Sequence, residues 1–165
     1  MSEDLSGRFR SDPFGGGPTA DQRADTALRA AWLAVEGLPQ MTRDLWVAVA
    51  LRSAAEVYQE VSWVSWAEGW HSGADRSVAA AQLATKLPRD DYEDALDSLA
   101  QGYEPRAMYI RIRDSARAAL LAVDAARRGS LERAASAVAL ALATWRLSKG
   151  EGPFPLERIV SRSRR

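Results

Sequence analysis

One long apolar segment, from Leu45 to Trp70, constrains this chain more than any other feature. It contains four of the six tryptophans, set among valines and alanines: Trp46, Trp63, Trp66 and Trp70. The spacing predicts one central helix over about residues 42–70, apolar around much of its circumference. A helix of that kind must be buried, either inside its own domain or against a partner.

Two apolar stripes run along this predicted helix. We expect the first to face the core: Trp46, Val49 or Ala50, Ala54, Val57, Val61 and Val64. The second stripe is formed by Trp63, Trp66 and Trp70. Tryptophan is enriched at binding hot spots, so we predict an interface there, with the same chain or with another protein. Core packing of these three rings is the alternative, because each buries a large apolar area.

The rest of the chain also reads as helical. Thr19 is a plausible N-cap for a first helix to about Glu36. Further helices are expected over 75–87, ended by Pro88, over 90–101, after Pro105, and over 131–148. No stretch alternates as a strand would. The sequence therefore predicts an all-α fold of about six helices, as an antiparallel bundle or as stacked helical hairpins.

Composition limits the organisation of the chain and the chemistry that it can carry. A length of 165 residues favours a single helical domain over 19–150, between a flexible N-terminal arm (1–18) and a C-terminal basic tail (151–165). The absence of cysteine excludes disulfides and thiolate chemistry. No apolar run is long enough to span a bilayer, so a cytoplasmic protein without a membrane partner is expected.

Charge is balanced overall but unevenly distributed. The 22 basic and 22 acidic residues cancel, so no global field draws the chain to nucleic acid. Residues 89–103 are nevertheless strongly acidic, and residues 105–128 are strongly basic. We expect these faces to be solvated or to neutralise each other. The alternatives are an acidic surface that docks a basic partner, or phosphate or acidic-partner contacts through Arg106, Arg113 and Arg117.

One pattern resembles a metal-binding motif. Glu68 and His71, the single histidine, have the Glu-x-x-His spacing that places both side chains on one helix face. Helical bundles with a di-iron centre use two such pairs and two further glutamates. A homodimer could supply these ligands, with Glu56 or Glu60 completing the set. The alternative is a histidine at a helix C-terminus, favourable there when protonated.

These observations lead to three hypotheses for function. The first is a non-enzymatic helical protein–protein interaction module without a cofactor, of the bacterial immunity, adaptor or assembly-subunit type, with self-association as one form. The second is a nucleic-acid-associated subunit of a larger complex. The third is the homodimeric metal–carboxylate site. Common nucleotide-binding, calcium-binding and serine-nucleophile motifs do not occur in the sequence.

Overall fold

The computed structural model describes residues 17–149 and 153–164. This part of the chain contains seven helices and no strand, which confirms the all-α prediction, with one helix more than the six expected. The helices are α1 (Ala20–Glu36), α2 (Arg43–Val57), α3 (Val61–Ser72), α4 (Val78–Ala100), α5 (Arg106–Arg128), α6 (Leu131–Lys149) and α7 (Leu156–Ser163).

Local signals explain several of the helix ends. Thr19 and Gln22 form a capping box at the start of α1, in which each side chain bonds the backbone N–H of the other residue. Gly129 ends α5 in the left-handed conformation, with φ +62°. Ser130 then accepts a 3.1 Å hydrogen bond from the N–H of Arg133 and so begins α6. These ends confirm the predicted first and sixth helices.

The core lies where α5 and α6 pack on each other and on α1 and α2. Its buried residues are mostly alanine and valine, such as Ala119, Val123, Ala137 and Val138. Small side chains let the helices approach closely. α4 packs on α5 and α3, and α7 packs on α2. Within the described residues, no helix is long and apolar enough to cross a membrane.

The central apolar segment is two helices, and the predicted single helix over 42–70 is wrong at its middle. Tyr58 leaves the helical conformation, with φ −105° and ψ 87°. Its side chain is 7% exposed, and its hydroxyl donates a 2.6 Å hydrogen bond to Oδ2 of Asp91 in α4. Glu60 then caps α3 by accepting a 2.9 Å bond from the N–H of Trp63. A contact with a distant helix therefore outweighs the local helical pattern.

Pro88 lies inside α4 and does not end a helix. The two helices predicted over 75–87 and 90–101 are one continuous helix. An interior proline removes a backbone hydrogen bond and costs about 3 kcal/mol. The Pro88 ring is fully buried, and α4 packs on both α5 and α3, so tertiary packing offsets this cost.

The break also changes which face of the apolar segment is buried. In α2 the predicted core stripe is confirmed at Val49, Ala50 and Ala54, which are fully buried, whereas Trp46 and Val57 are only partly buried. It is wrong at Val61, which is 81% exposed, whereas Trp63 is 2% exposed. Two helices separated by a turn do not share one helical phase, so a stripe drawn through both has no structural meaning.

Of the two predicted terminal segments, the C-terminal one is largely described by the structure and the N-terminal one is not. The arm predicted over 1–18 lies outside the described residues except for its last two positions. In the predicted basic tail, Leu156–Ser163 form α7, whose Ile159 and Val160 are buried against the core. Part of the tail is therefore packed on the domain.

Candidate functional site

A row of aromatic rings joins the end of α2 to α3. The rings of Tyr58 and Trp63 meet edge to face, with centroids 5.9 Å apart and an interplanar angle of 88°. Trp66 continues the row, with its centroid 5.9 Å from that of Trp63. Edge-to-face pairs are a favoured aromatic geometry. The hydroxyl of Tyr58 also bonds Asp91, so the aromatic row is connected to α4 through this residue.

A groove of about 220 Å³ remains open between α3 and α4. We call it the α3–α4 groove. Leu83 is 75% exposed, Leu87 is 40% exposed, and Trp66 is only partly buried. The two leucines are one helical turn apart, so they lie on the same face of α4. The lining residues are Ser62, Trp63, Trp66, Ala80, Leu83, Ala84 and Leu87.

The three tryptophans of the predicted interface lie in different environments. Trp63 and Trp70 are buried within the chain, at 2% and 7% exposure. The Arg76 guanidinium covers the Trp70 ring, with its carbon 3.9 Å from the ring centroid. Of the three, only Trp66 offers much surface to a partner. The interface stays a prediction that now depends on Trp66.

Sequence reasoning missed Leu83 and Leu87. The signal was present, because Ala80, Leu83, Ala84 and Leu87 follow the i, i+3, i+4, i+7 spacing of one helix face. The expected helix end at Pro88 hid it, since a short alanine-rich helix has no obvious outer face. In the continuous helix, this face extends directly into the acidic segment.

The solvent side of α4 becomes acidic just after the groove. Exposed carboxylates follow Leu87 on the same helix, and we call this set the acidic run: Asp90, Glu93, Asp94 and Asp97. Asp90, Asp94 and Asp97 are 7, 11 and 14 positions after Leu83, which keeps all three on the leucine face. An apolar patch and an acidic patch therefore adjoin along one side of α4, where Lys86 is exposed between Leu83 and Asp90.

The arginines of α5 do not neutralise the acidic run directly. In the described part of the chain, no ion pair joins a carboxylate of α4 to an arginine of α5. Arg106 instead holds Asp21 of α1 through two hydrogen bonds of 2.6 and 3.0 Å, which lower the pKa of that carboxyl group. Arg113 bonds Asp114 at 2.9 Å, and Arg117 is exposed. Two of the three predicted phosphate contacts are therefore engaged within the chain.

Glu68 and His71 line an open cleft of about 460 Å³ between α2, α3 and α7. Burial lowers the pKa of His71, and three nearby arginines lower it further: Arg52, Arg76 and Arg162. These positive charges disfavour a divalent cation beside the imidazole. Among the described residues, no group of three or more metal-ligating side chains is assembled. A metal site shared by two copies stays a prediction, and the charges around His71 oppose it.

Comparisons with protein-family models, with curated proteins and with solved structures find no match for this chain. The α3–α4 groove and the acidic run combine exposed leucine, a partly exposed tryptophan and exposed charge on adjoining surfaces.

Proposed function

We propose that this chain is a protein-binding module that docks a basic amphipathic helix of another protein. Apolar side chains of that helix enter the α3–α4 groove, and its basic residues lie over the acidic run. One observation supports this most directly: the exposed face of Leu83 and Leu87 leads into exposed carboxylates on the same side of α4, with Lys86 the one basic side chain on that side between Leu83 and Asp90. Grooves of this kind receive an apolar helix face through residues at i, i+3, i+4 and i+7.

The apolar half of this surface supplies affinity. Full burial of a leucine side chain is favourable by about 1.5–3 kcal/mol. The exposures of Leu83 and Leu87, 75% and 40%, together equal slightly more than one fully exposed leucine. Covering them is therefore worth about 2–3 kcal/mol before the cost of association. Trp66 adds a rigid ring of the type enriched at hot spots.

The acidic half supplies orientation. From Asp90 to Asp97 the helix rises about 10 Å, which is two turns. A partner helix with basic residues over two turns can match this length after inserting its apolar residues in the groove. Charges at the rim of an interface accelerate association and fix its register more than they add affinity.

The occupant that we propose is a different protein and not a second copy of this chain. A two-fold contact uses the same patch on both subunits. If two α4 helices met in parallel, the two acidic runs would face each other. If they met in antiparallel fashion, each acidic run would lie over the apolar groove of the other copy. The parallel arrangement would place carboxylates against carboxylates, and the antiparallel one would bury carboxylates against apolar side chains without a charge partner. Both are unfavourable.

Site-specific photo-cross-linking tests this proposal in cells of the source organism. A photoreactive residue replaces Leu83, and the control replaces Leu33, which is 71% exposed on α1. We expect cross-links at position 83, absent at position 33, to a helical segment that carries apolar and basic residues. Cross-links to a second copy of this chain, to an acidic segment, or equally at both positions would contradict the proposal.

A peptide of the cross-linked segment then permits a quantitative test. We expect Leu83→Ser to weaken its binding about tenfold and Leu87→Ser, whose leucine is less exposed, about three- to fivefold, with Leu33→Ser as the control. Replacing Asp94 and Asp97 with asparagine should reduce the salt dependence of the association rate. Unchanged affinity in both serine variants would show that the groove is not the binding surface.

A further inference from the structure

Lys86 is an exposed cation on the proposed docking surface of α4, and the inference drawn from it rests on that proposed function. Around the helix, Lys86 lies about 60° from Leu83 and about 40° from Asp90. It therefore falls within the sector of α4 that carries the acidic run, one turn before the first carboxylate. The sign of the exposed charge changes along this side of the helix, from positive beside the leucines to negative after them.

The charge of Lys86 is not paired within the described residues. None of the ion pairs there involves its ammonium group, although Asp90 is only one turn away. The order of the two residues disfavours their pairing, because a carboxylate four positions before a lysine pairs better than one four positions after it. Lys86 therefore presents its charge to solvent and to any helix that docks on this side of α4.

A docked helix that was basic along its whole length would meet a like charge at Lys86. Like charges that face each other across an interface oppose binding, and proteins use such repulsion to reject wrong partners. A carboxylate on the docked helix would replace this repulsion with an ion pair. Asp90 is about 6 Å farther along α4 than Lys86, so that carboxylate must lie one turn before the nearest basic residue of the docked helix.

From these observations we propose that Lys86 selects the docked helix by binding a carboxylate on it. The helix that fits this surface carries apolar residues for the α3–α4 groove, then one aspartate or glutamate, then basic residues over the acidic run. Lys86 also fixes the register of this helix. A shift by one turn in one direction would place the carboxylate against Asp90, and a shift in the other direction would place a basic residue against Lys86.

Two synthetic helical peptides of identical composition test this selection on the full chain. Both carry leucines at i, i+3 and i+7 for the groove, followed on the same face by one glutamate and several arginines. In the first peptide the glutamate lies between the last leucine and the arginines, and in the second it is exchanged with the first arginine. Fluorescence anisotropy measures the Kd of each. We expect wild type to bind the first peptide about tenfold more tightly.

The variant Lys86→Glu separates selection by Lys86 from simple attraction of positive charge. If the surface only attracts positive charge, this variant gains a negative charge and binds the first peptide more tightly than wild type does. If Lys86 pairs with the glutamate, the variant binds the first peptide about tenfold more weakly and prefers the second. Arg89→Glu is the matched control, because it makes the same charge change at an exposed position of α4, about 120° from Leu83. We expect this control to keep the preference for the first peptide.

The possible results distinguish this inference from the docking function on which it rests. Equal binding of the two peptides by wild type, or tighter binding of the first peptide by Lys86→Glu, would overturn the role of Lys86 and leave the docking function standing. An equal loss in Arg89→Glu would also overturn it, because the effect would then not be specific to position 86. Binding of neither peptide by wild type would contradict the docking function, and the role of Lys86 with it.

Discussion

Replacing Tyr58 with phenylalanine tests the contact that divides the apolar segment into α2 and α3. The change removes the hydroxyl that bonds Asp91 at 2.6 Å and keeps the ring that packs against Trp63. A hydrogen bond to a charged group contributes about 1.5–3 kcal/mol. Asp91 is only partly buried, so water can replace part of the lost bond. We therefore expect the free energy of unfolding to fall by about 1.5–2 kcal/mol at pH 7, near the lower end of that range.

The same substitution has a distinct effect at high pH. Burial raises the pKa of Tyr58 well above its ordinary value of 10.0, and the bond to Asp91 raises it further. Above pH 10 the unfolded chain therefore loses this proton while the folded chain keeps it. The stabilisation is complete below pH 10 and is lost as the pH rises toward the folded-state pKa, by about 1.4 kcal/mol per pH unit. Tyr58→Phe lacks this group and does not lose this stabilisation. The difference in the free energy of unfolding between wild type and variant should therefore become smaller above pH 10, at about that rate.

Urea unfolding, followed by circular dichroism and tryptophan fluorescence at pH 7 and between pH 10 and 11, measures both effects. Tyr103→Phe is the control, because Tyr103 is 50% exposed and its hydroxyl bonds Gln101 at the surface. We expect that control to lie within about 0.5 kcal/mol of wild type. The reasoning is refuted if Tyr58→Phe also lies within about 0.5 kcal/mol of wild type and loses stability above pH 10 at the same rate as wild type. In that case the contact with Asp91 does not stabilise the break between α2 and α3.

Three further predictions concern two glycines, one in the turn after α5 and one inside α3, and the ion pair at the start of α1. Gly129→Ala should destabilise the protein by roughly 1–2 kcal/mol, because φ is +62° and the new Cβ would lie 3.0 Å from Cδ of Arg43. Gly69→Ala should instead stabilise it by up to about 1 kcal/mol, since Gly69 is inside α3 with nothing within 4 Å of the added atom. Urea unfolding measures the stability of both glycine variants. If Gly129→Ala were the more stable of the two, the assigned conformations would be wrong. Arg106→Ala should raise the pKa of Asp21 in an NMR titration, because the hydrogen bond from Arg106 lowers it. The stability that this pair provides is present above the ordinary Asp21 pKa of 3.8 and is lost as the pH falls through the lowered pKa. The free energies of unfolding of wild type and variant should therefore become equal in acid. An unchanged Asp21 pKa in the variant would contradict the pairing.

The docking proposal depends on the same contact that Tyr58→Phe perturbs. The bond between Tyr58 and Asp91 joins the turn between α2 and α3 to the middle of α4, one helical turn after Leu87 of the groove. If this bond sets the separation of the two helices, Tyr58→Phe also changes the shape available to Trp66 and Leu83. The groove is lined by α3, which begins only after the break in the apolar segment.

The sequence by itself determined the all-α class and the helix ends that short-range chemistry controls. Thr19 and Gln22 bond each other's backbone across three positions, so the start of α1 was predictable from neighbouring residues. The turn between α5 and α6 was equally predictable, because Gly129 tolerates positive φ and Ser130 caps the next helix. Interactions of this kind span four residues or fewer, and a linear pattern contains all of their partners.

Only the tertiary structure decided the features that make a candidate site. At Tyr58, where α2 ends, the hydroxyl bonds Asp91, 33 positions later. Pro88 remains inside α4 because packing on α5 and α3 offsets the lost hydrogen bond. Leu83 is exposed because no other element of the described chain covers that side of α4. Each outcome depends on groups that folding brings together from distant positions, and their free energies outweigh local preferences of a few kcal/mol or less.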